Sequence, residues 1–239
     1  LIRKNRERGT FMRKRMEDAV RQVVKDAPSQ LQMLFSLSNS NELLFADYVL
    51  LTEGKTEWRV LPALFERITG QSFALIKCAL VRQGGVSNTR KSMQVLSAMD
   101  IPVRAIVDLD YAFTTATRDG FLSANDPDIT ECRNLFRELA CHNHLRLVNG
   151  LPVNKHSNIS ASTAYAMMAS MPEAERPIRN IHNKLCEQGI WVWTRGAIEE
   201  HLGLKGKNEM VWRNFIERSK SKNFVQTLPD YDGIEALCQ

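Results

Sequence analysis

The sequence predicts an α/β fold: a Rossmann-like parallel sheet flanked by helices, with a helical insertion. First, residues 47–107 alternate short apolar runs rich in β-forming residues with longer stretches of helical periodicity. Second, residues 121–188 show helical periods and no convincing strand, apart from a short one near 145–148. Third, a β-forming run returns at 189–193. The β-α-β-α-β order of the first part implies parallel strands joined by right-handed crossovers.

The individual elements follow from the spacing of apolar residues and from the turn residues that bound them. Gly84 and Gly85 are expected to end the second strand with a turn. The predicted strands cover residues 47–51, 73–81, 103–107 and 189–193, and the predicted helices cover residues 10–26, 56–68, 88–99, 196–202 and 208–219.

These elements divide the chain into three parts. Residues 1–44 form an N-terminal helical segment, residues 45–120 and 189–239 form the α/β core, and residues 121–188 form the insertion. The chain begins with Leu1 instead of Met, so we expect it to be a piece of a longer protein.

The position of the basic residues, the lack of long apolar runs and the spacing of the cysteines indicate which classes of protein fit this sequence. The net charge of +5 lies entirely in residues 1–26, which hold nine Lys and Arg against four Asp and Glu. This basic segment fits either a contact with nucleic-acid phosphates or a solvated helix face. No apolar run approaches the roughly 18 residues that span a bilayer, and no signal peptide is visible. Five scattered cysteines are typical of reduced thiols, so we expect a cytoplasmic protein.

Four carboxylates follow two of the predicted strands. Glu53 comes directly after the first strand, and Glu57 lies about one helical turn later. Asp108 and Asp110 follow the third strand, where their spacing places both side chains on one side of an extended segment. Because ligands of open α/β sheets bind at the carboxyl ends of strands, we expect these acids to converge. Their mutual repulsion would be relieved by a hard divalent cation, whereas the alternative is solvated loop acids or acids favoured by a helix dipole.

A fifth acid follows the strand at 189–193. Glu199 falls in the first turn of the next helix, and Thr194 offers a hydroxyl oxygen close to the end of the strand. Both therefore join the predicted set of metal ligands.

These residues resemble the Toprim domain, which is shared by type II and IA topoisomerases, bacterial primases and several nucleases. The marks are Glu53-Gly54 after the first strand and Asp108-Leu-Asp110 after the third. Glu57 in the segment EGKTE, together with the later WTRGAIE ending at Glu199, is more similar to the OLD (overcoming lysogenization defect) family of nucleases.

The resemblance implies a DNA endonuclease that uses two Mg²⁺ or Mn²⁺ ions, with Ca²⁺ binding without turnover. Glu57, Asp108 and Asp110 would hold one ion, and Glu53 and Glu199 would hold the second, with Thr194 as a further ligand. The family also places a lysine near the scissile phosphate, for which Lys205 and Lys207 are the candidates. OLD proteins join an ABC-type ATPase to this nuclease; the chain contains no phosphate-binding G-x-x-x-x-G-K-[ST] loop, so that ATPase is expected in a preceding domain. A homodimer is a further expectation.

Three alternatives remain open from the sequence. The Toprim marks also fit a topoisomerase or primase, or a non-catalytic module that binds nucleic acid. The segment Cys141-His142-Asn143-His144 admits a structural zinc site, although no matching second pair of ligands follows it.

Overall fold

The computed structural model describes residues 2–5, 9–26, 28–30, 33, 43, 45–83, 88–221 and 223–239. It divides into two compact units, Leu1–Ala105 and Ile106–Gln239. Most of residues 27–44 of the predicted N-terminal helical segment lie outside the described residues, as does the Gly84–Gly85 turn.

The described residues of the first unit form an antiparallel pair of strands, helices and the first strands of the main sheet. The elements are β1 (Ile2–Asn5), β2 (Gly9–Met12), α1 (Met16–Val23), β3 (Tyr48–Thr52), α2 (Lys55–Thr69), β4 (Cys78–Arg82), α3 (Thr89–Ala98) and β5 (Val103–Val107), the last of which continues into the second unit.

The second unit carries the insertion and the last strand. The elements are α4 (Asp110–Phe113), α5 (Thr115–Arg118), α6 (Pro127–Asn143), β6 (Leu147–Val148), β7 (Leu151–Pro152), α7 (Ala161–Ala169), α8 (Glu175–Cys186), β8 (Ile190–Val192), α9 (Ile198–Leu202), α10 (Glu209–Ser219) and α11 (Tyr231–Cys238).

The main sheet is parallel and four-stranded, in the order β4-β3-β5-β8. β3 pairs with β4 from Tyr48↔Cys78 to Thr52↔Arg82. The backbone N–H of Val49 donates to the carbonyl of Pro102 just before β5 (2.9 Å), and that of Trp193 donates to the carbonyl of Val107 (3.0 Å). The predicted fold class is therefore confirmed, and the predicted strand at 103–107 has the observed bounds.

The packing of α2 explains why its sequence forms a helix in this position. Its apolar face buries Val60, Leu61 and Leu64. The helix begins after Gly54 and ends at Gly70, whose φ of +73° lies in the left-handed region that glycine adopts without a steric penalty.

The N-terminal helix is shorter than predicted, because Gly9–Met12 is a strand and only Met16–Val23 is helical. β2 pairs antiparallel with β1, in the register Ile2↔Met12 to Asn5↔Gly9. The cross-strand ladder satisfies the backbone groups that a helix would otherwise satisfy within itself. The predicted apolar stripe is partly right, since Ala19, Val20 and Val24 are buried.

The second strand also starts later than predicted, at Cys78 instead of residue 73. Residues 73–77 form a turn in which the N–H of Cys78 donates to the carbonyl of Phe73 (2.8 Å). The Phe73 ring stacks on Phe65 of α2, with ring centroids 4.6 Å apart. The aromatic residue that looked like a strand residue therefore packs on the helix instead.

Residues 121–188, all of which the structure describes, are mainly helical, with the short β6–β7 hairpin near the predicted strand. Two carboxylates at the start of α6 are held by Lys184 of α8, whose Nζ lies 2.7 Å from Asp126 Oδ2 and 2.7 Å from Asp128 Oδ2. The division of the chain into three parts remains a prediction. No helix among the described residues is both long and apolar enough to cross a membrane.

Candidate metal centre

Glu53, Gly54 and Glu57 occupy the turn between β3 and the start of α2. Glu57 is only 2% exposed and lies in the first helical turn, where the helix dipole favours a negative charge. A Cβ atom built on Gly54 would lie 3.0 Å from Oε2 of Glu57, so this carboxylate folds back onto the turn. The carboxylate of Glu57 therefore lies against the turn that follows β3.

Asp108 and Asp110 sit differently from the extended pair that the sequence predicted. Leu109 is in the right-handed helical region (φ −62°, ψ −32°), and Asp110 is the first residue of α4. The chain turns at once because the N–H of Tyr111 donates to the carbonyl of Asp108 (3.2 Å) and that of Ala112 donates to the carbonyl of Leu109 (3.1 Å). Asp108 follows the strand, whereas Asp110 belongs to a helical turn.

The carboxyl group of Asp110 is withdrawn from solvent. Burial raises its pKa above the ordinary value, against the opposing influences of the Tyr111 backbone N–H and the Lys207 charge. Its Oδ1 is buried and has no hydrogen-bond partner among the residues that the structure describes. A solvated loop acid would show neither property, so this oxygen is suited to a ligand that brings positive charge.

Glu199 and Asp108 share a lysine. Glu199 lies in the first turn of α9 and is 6% exposed. Nζ of Lys207 lies 3.1 Å from Oε2 of Glu199 and 4.0 Å from Oδ2 of Asp108. The fold therefore brings the acid after β5 and the acid after β8 to one cation.

The other predicted lysine and the predicted hydroxyl ligand line two different grooves. Lys205 is exposed and lines a groove with Phe215 and Arg218. Thr194 lines a groove with Arg195. Their predicted roles at the metal site remain predictions.

A buried histidine, which sequence reasoning missed, stands two residues from Glu199. His201 is 2% exposed, and its Nε2 accepts a hydrogen bond from the backbone N–H of Arg195 (3.0 Å). Its Nδ1 is hydrogen-bonded to Oδ2 of Asp230, and this hydrogen bond holds the pKa of Asp230 below its ordinary value. The two residues are 29 positions apart, so no local spacing in the sequence indicates that they meet.

The donor set fits a hard divalent ion in its chemistry, since every predicted ligand offers oxygen. Among the described residues, however, no group of three or more His, Cys, Asp or Glu side chains is gathered closely enough to hold an ion. That observation covers both the carboxylates and the cysteine–histidine segment near residue 141, where Cys141 itself is exposed.

The parallel four-stranded sheet with its flanking helices is consistent with a Toprim α/β fold. Residues 44–110 match the family model described as Overcoming lysogenization defect protein-like, TOPRIM domain. The Old nuclease of Escherichia phage P2 is 29% identical over an alignment that covers 95% of this chain. The chain spans 39% of the length of that relative.

Two solved structures of the C-terminal region of the Xanthomonas campestris pv. campestris OLD protein, phased with platinum and with mercury, also match. Each is 15% identical; they cover 83% and 81% of this chain and 85% of their own, with TM-scores of 0.31 and 0.29. At these TM-scores no site geometry is transferable from them.

Proposed function

We propose that this chain is the nuclease part of an OLD-like protein, a DNA endonuclease that depends on Mg²⁺ or Mn²⁺. Two comparisons support the hydrolase class: the similarity to the phage P2 Old nuclease, and the match of residues 44–110 to the OLD-like Toprim model. The observation that carries the proposal is the sharing of Lys207 by Asp108 and Glu199, since acids from distant parts of the chain meet at one positive charge.

The proposed ligands divide between two ions. Glu57, Asp108 and Asp110 would hold one ion, and Glu53 and Glu199 would hold the other, with Thr194 as a further ligand. When bound, such ions supply activation of water and neutralisation of charge on a phosphodiester.

The protein's own groups complete the proposed site. The buried Oδ1 of Asp110 and the buried Glu57 carboxylate keep ligand oxygens away from bulk water. Lys207 is 56% exposed in its side chain, so its ammonium can also face a phosphate and stabilise the charge that develops there. Lys205, the alternative, lines a separate groove with Phe215 and Arg218, so we favour Lys207.

Plasmid cleavage tests this proposal. We expect the chain to convert supercoiled plasmid to nicked or linear DNA in Mg²⁺ or Mn²⁺, but not in Ca²⁺ or chelator. Asp108→Ala and Glu53→Ala should each abolish this activity. Asp232→Ala, which removes an exposed acid from α11, is the matched control and should cut like the parent.

Each alternative function predicts a different result. Undiminished cutting by purified Asp108→Ala protein contradicts the mechanism. Covalently closed topoisomers would indicate a topoisomerase, templated primer synthesis would indicate a primase, and DNA binding without turnover in any metal would indicate a non-catalytic module. A preceding ABC-type ATPase domain, a homodimer and a cytoplasmic location are parts of the proposal that need the full-length protein.

A further inference from the structure

The pair formed by His201 and Asp230 connects three separate segments of the second unit. His201 belongs to α9, Arg195 belongs to the loop between β8 and α9, and Asp230 precedes α11. Because the Arg195 N–H donates to Nε2, the proton of the neutral imidazole is on Nδ1, from which it is donated to the Asp230 carboxylate. The ring is thereby fixed at both nitrogens.

The same loop is hydrogen-bonded to the segment that carries two of the proposed ligands. Next to Arg195, the carbonyl of Gly196 accepts a hydrogen bond from the N–H of Leu109 (2.7 Å). Leu109 lies between Asp108 and Asp110. A continuous path therefore runs from Asp230 through His201 and the loop to the Asp108–Asp110 turn, while His201 shares its short helix with Glu199.

The surroundings leave this path little freedom to shift. The His201 ring packs against Trp193, with ring centroids 4.8 Å apart, and Trp193 is fully buried. On the other side, Gly196 adopts a φ of +111°, and a Cβ there would lie 3.2 Å from Cα of Ala166 in α7. The loop is thus confined between a helix backbone and a buried ring.

We propose that His201 and Asp230 are positioning residues that set Glu199 relative to Asp108 and Asp110 for binding a divalent ion. The inference rests on the proposed function, because it assigns these two residues to the same site. Neither residue is among the proposed ligands. They act through backbone groups, as the outer partners of metal ligands commonly do.

A purely structural role and a positioning role predict different effects on stability and on metal affinity. Loss of a buried hydrogen bond lowers the stability of the whole chain, and metal affinity well below the unfolding temperature would then stay unchanged. Loss of ligand positioning weakens metal binding in a chain that is still folded, and excess metal restores activity.

The test is a calorimetric titration of the 239-residue chain with Mn²⁺, without DNA, for the parent and three variants. Asp230→Asn keeps the size of the side chain and removes its charge. His201→Gln keeps an acceptor for the Arg195 N–H but loses the imidazole N–H that faces Asp230. Asp232→Asn removes the same charge two residues further along, from an exposed position, and serves as control.

We expect Asp230→Asn and His201→Gln each to weaken Mn²⁺ binding on the order of tenfold. This is the lower end of the loss in metal affinity that follows when outer partners of metal ligands are replaced. Asp232→Asn should bind like the parent. The thermal unfolding of each variant is measured first, so that the titration is carried out at a temperature at which all four proteins are folded. In cleavage, the two variants should lose kcat at low Mn²⁺, keep KM for DNA, and recover in excess Mn²⁺.

Two failures are distinguishable. If the parent binds Mn²⁺ and folded Asp230→Asn and His201→Gln bind it equally well, the positioning role is wrong while the metal site stands. If the parent takes up no Mn²⁺, the proposed metal-dependent function is wrong, and the positioning inference is overturned with it.

Discussion

Lys207 places its ammonium nitrogen 3.1 Å from a carboxylate oxygen of Glu199, which is 6% exposed. The lysine stands in the loop between α9 and α10, so it approaches the acid from outside the helix that carries it. A buried carboxylate costs free energy unless it is paired, and here a side chain that is itself half exposed supplies the pairing. In the proposed function, this half-exposed ammonium also faces a phosphate of the DNA.

Replacing Lys207 therefore tests catalysis more than folding. We expect Lys207→Met to lower kcat for plasmid cleavage roughly 100-fold, the cost of removing one charge-stabilising donor. KM for DNA should change little, because one exposed cation contributes a small share of phosphate binding. The measurement is initial cleavage rate against plasmid concentration at saturating Mn²⁺.

Lys205→Met is the control for this substitution, because Lys205 is also exposed and lies two residues away. An equal loss of kcat in both variants, or no loss in Lys207→Met, would contradict the assignment of Lys207.

Gly54→Ala should weaken metal binding without a large loss of stability. The φ of Gly54 is −118°, which alanine adopts freely, but the new Cβ would lie 3.0 Å from Oε2 of Glu57. The carboxylate must therefore shift by a few tenths of an ångström. We expect Mn²⁺ affinity to fall about tenfold, as for other displacements of a ligand, measured by calorimetry.

Gly70→Ala, at the other end of α2, is the control: it should lower stability and leave metal binding unchanged. Its φ is +73° and no atom lies within 4 Å of the added Cβ, so alanine pays only the backbone penalty, about 1–2 kcal/mol. The free energy of unfolding should fall while Mn²⁺ affinity stays at the parent value. Unchanged Mn²⁺ affinity in Gly54→Ala would remove Glu57 from the ligand set.

Gly196→Ala should destabilise the chain through two separate effects. The φ of +111° is strained for any residue with a Cβ, at about 1–3 kcal/mol, and the Cβ would also press on the α7 backbone at Ala166. Gly206→Ala shares the unfavourable φ (+126°) but meets only the ends of side chains, at 3.5 Å or more. Urea unfolding should show a larger loss for Gly196→Ala, and equal losses would rule out the crowding.

The insertion should lose stability in acid through Asp128. Burial alone would raise the pKa of this carboxyl, but hydrogen bonds from Lys184 and Asn180 and the charges of Lys184 and Arg176 hold it below the ordinary value of 3.8. A lowered folded-state pKa contributes stability that is present above the unfolded pKa and is lost as the pH falls through the folded pKa.

The expected result is a fall in thermal unfolding temperature below about pH 4 that is smaller in Asp128→Asn. That variant is less stable than the parent at neutral pH, because Lys184 loses part of its pairing. Parallel acid profiles for the two proteins would mean that other carboxylates govern the acid transition.

The sequence predicted the sheet and its acids because both depend on local patterns. Apolar runs fix β3 and β5, and strand order then places Glu53 and Asp108 at strand ends. The helical turn at Asp110 was missed because an i, i+2 pair of acids fits an extended segment equally well. The hairpin at residues 2–12 was missed because Phe11 and Met12 also continue a helical apolar stripe.

The contacts between residues that are distant in the sequence could not be predicted from the sequence. Lys207 was one of two candidates with no local feature to separate it from Lys205, and only the fold brings it to Glu199. His201 and Asp230 meet across 29 positions, with nothing in their spacing to pair them.

The close approach of Gly196 to Ala166 bears on how the insertion can be altered. The helix that holds Ala166 belongs to residues 121–188, while Gly196 belongs to the loop that leads to Glu199. A methyl group on Gly196 would therefore crowd the backbone of α7 at Ala166. A change to residues 121–188 therefore has to preserve this contact: a shortened or replaced segment needs an equally small residue at the position of Ala166.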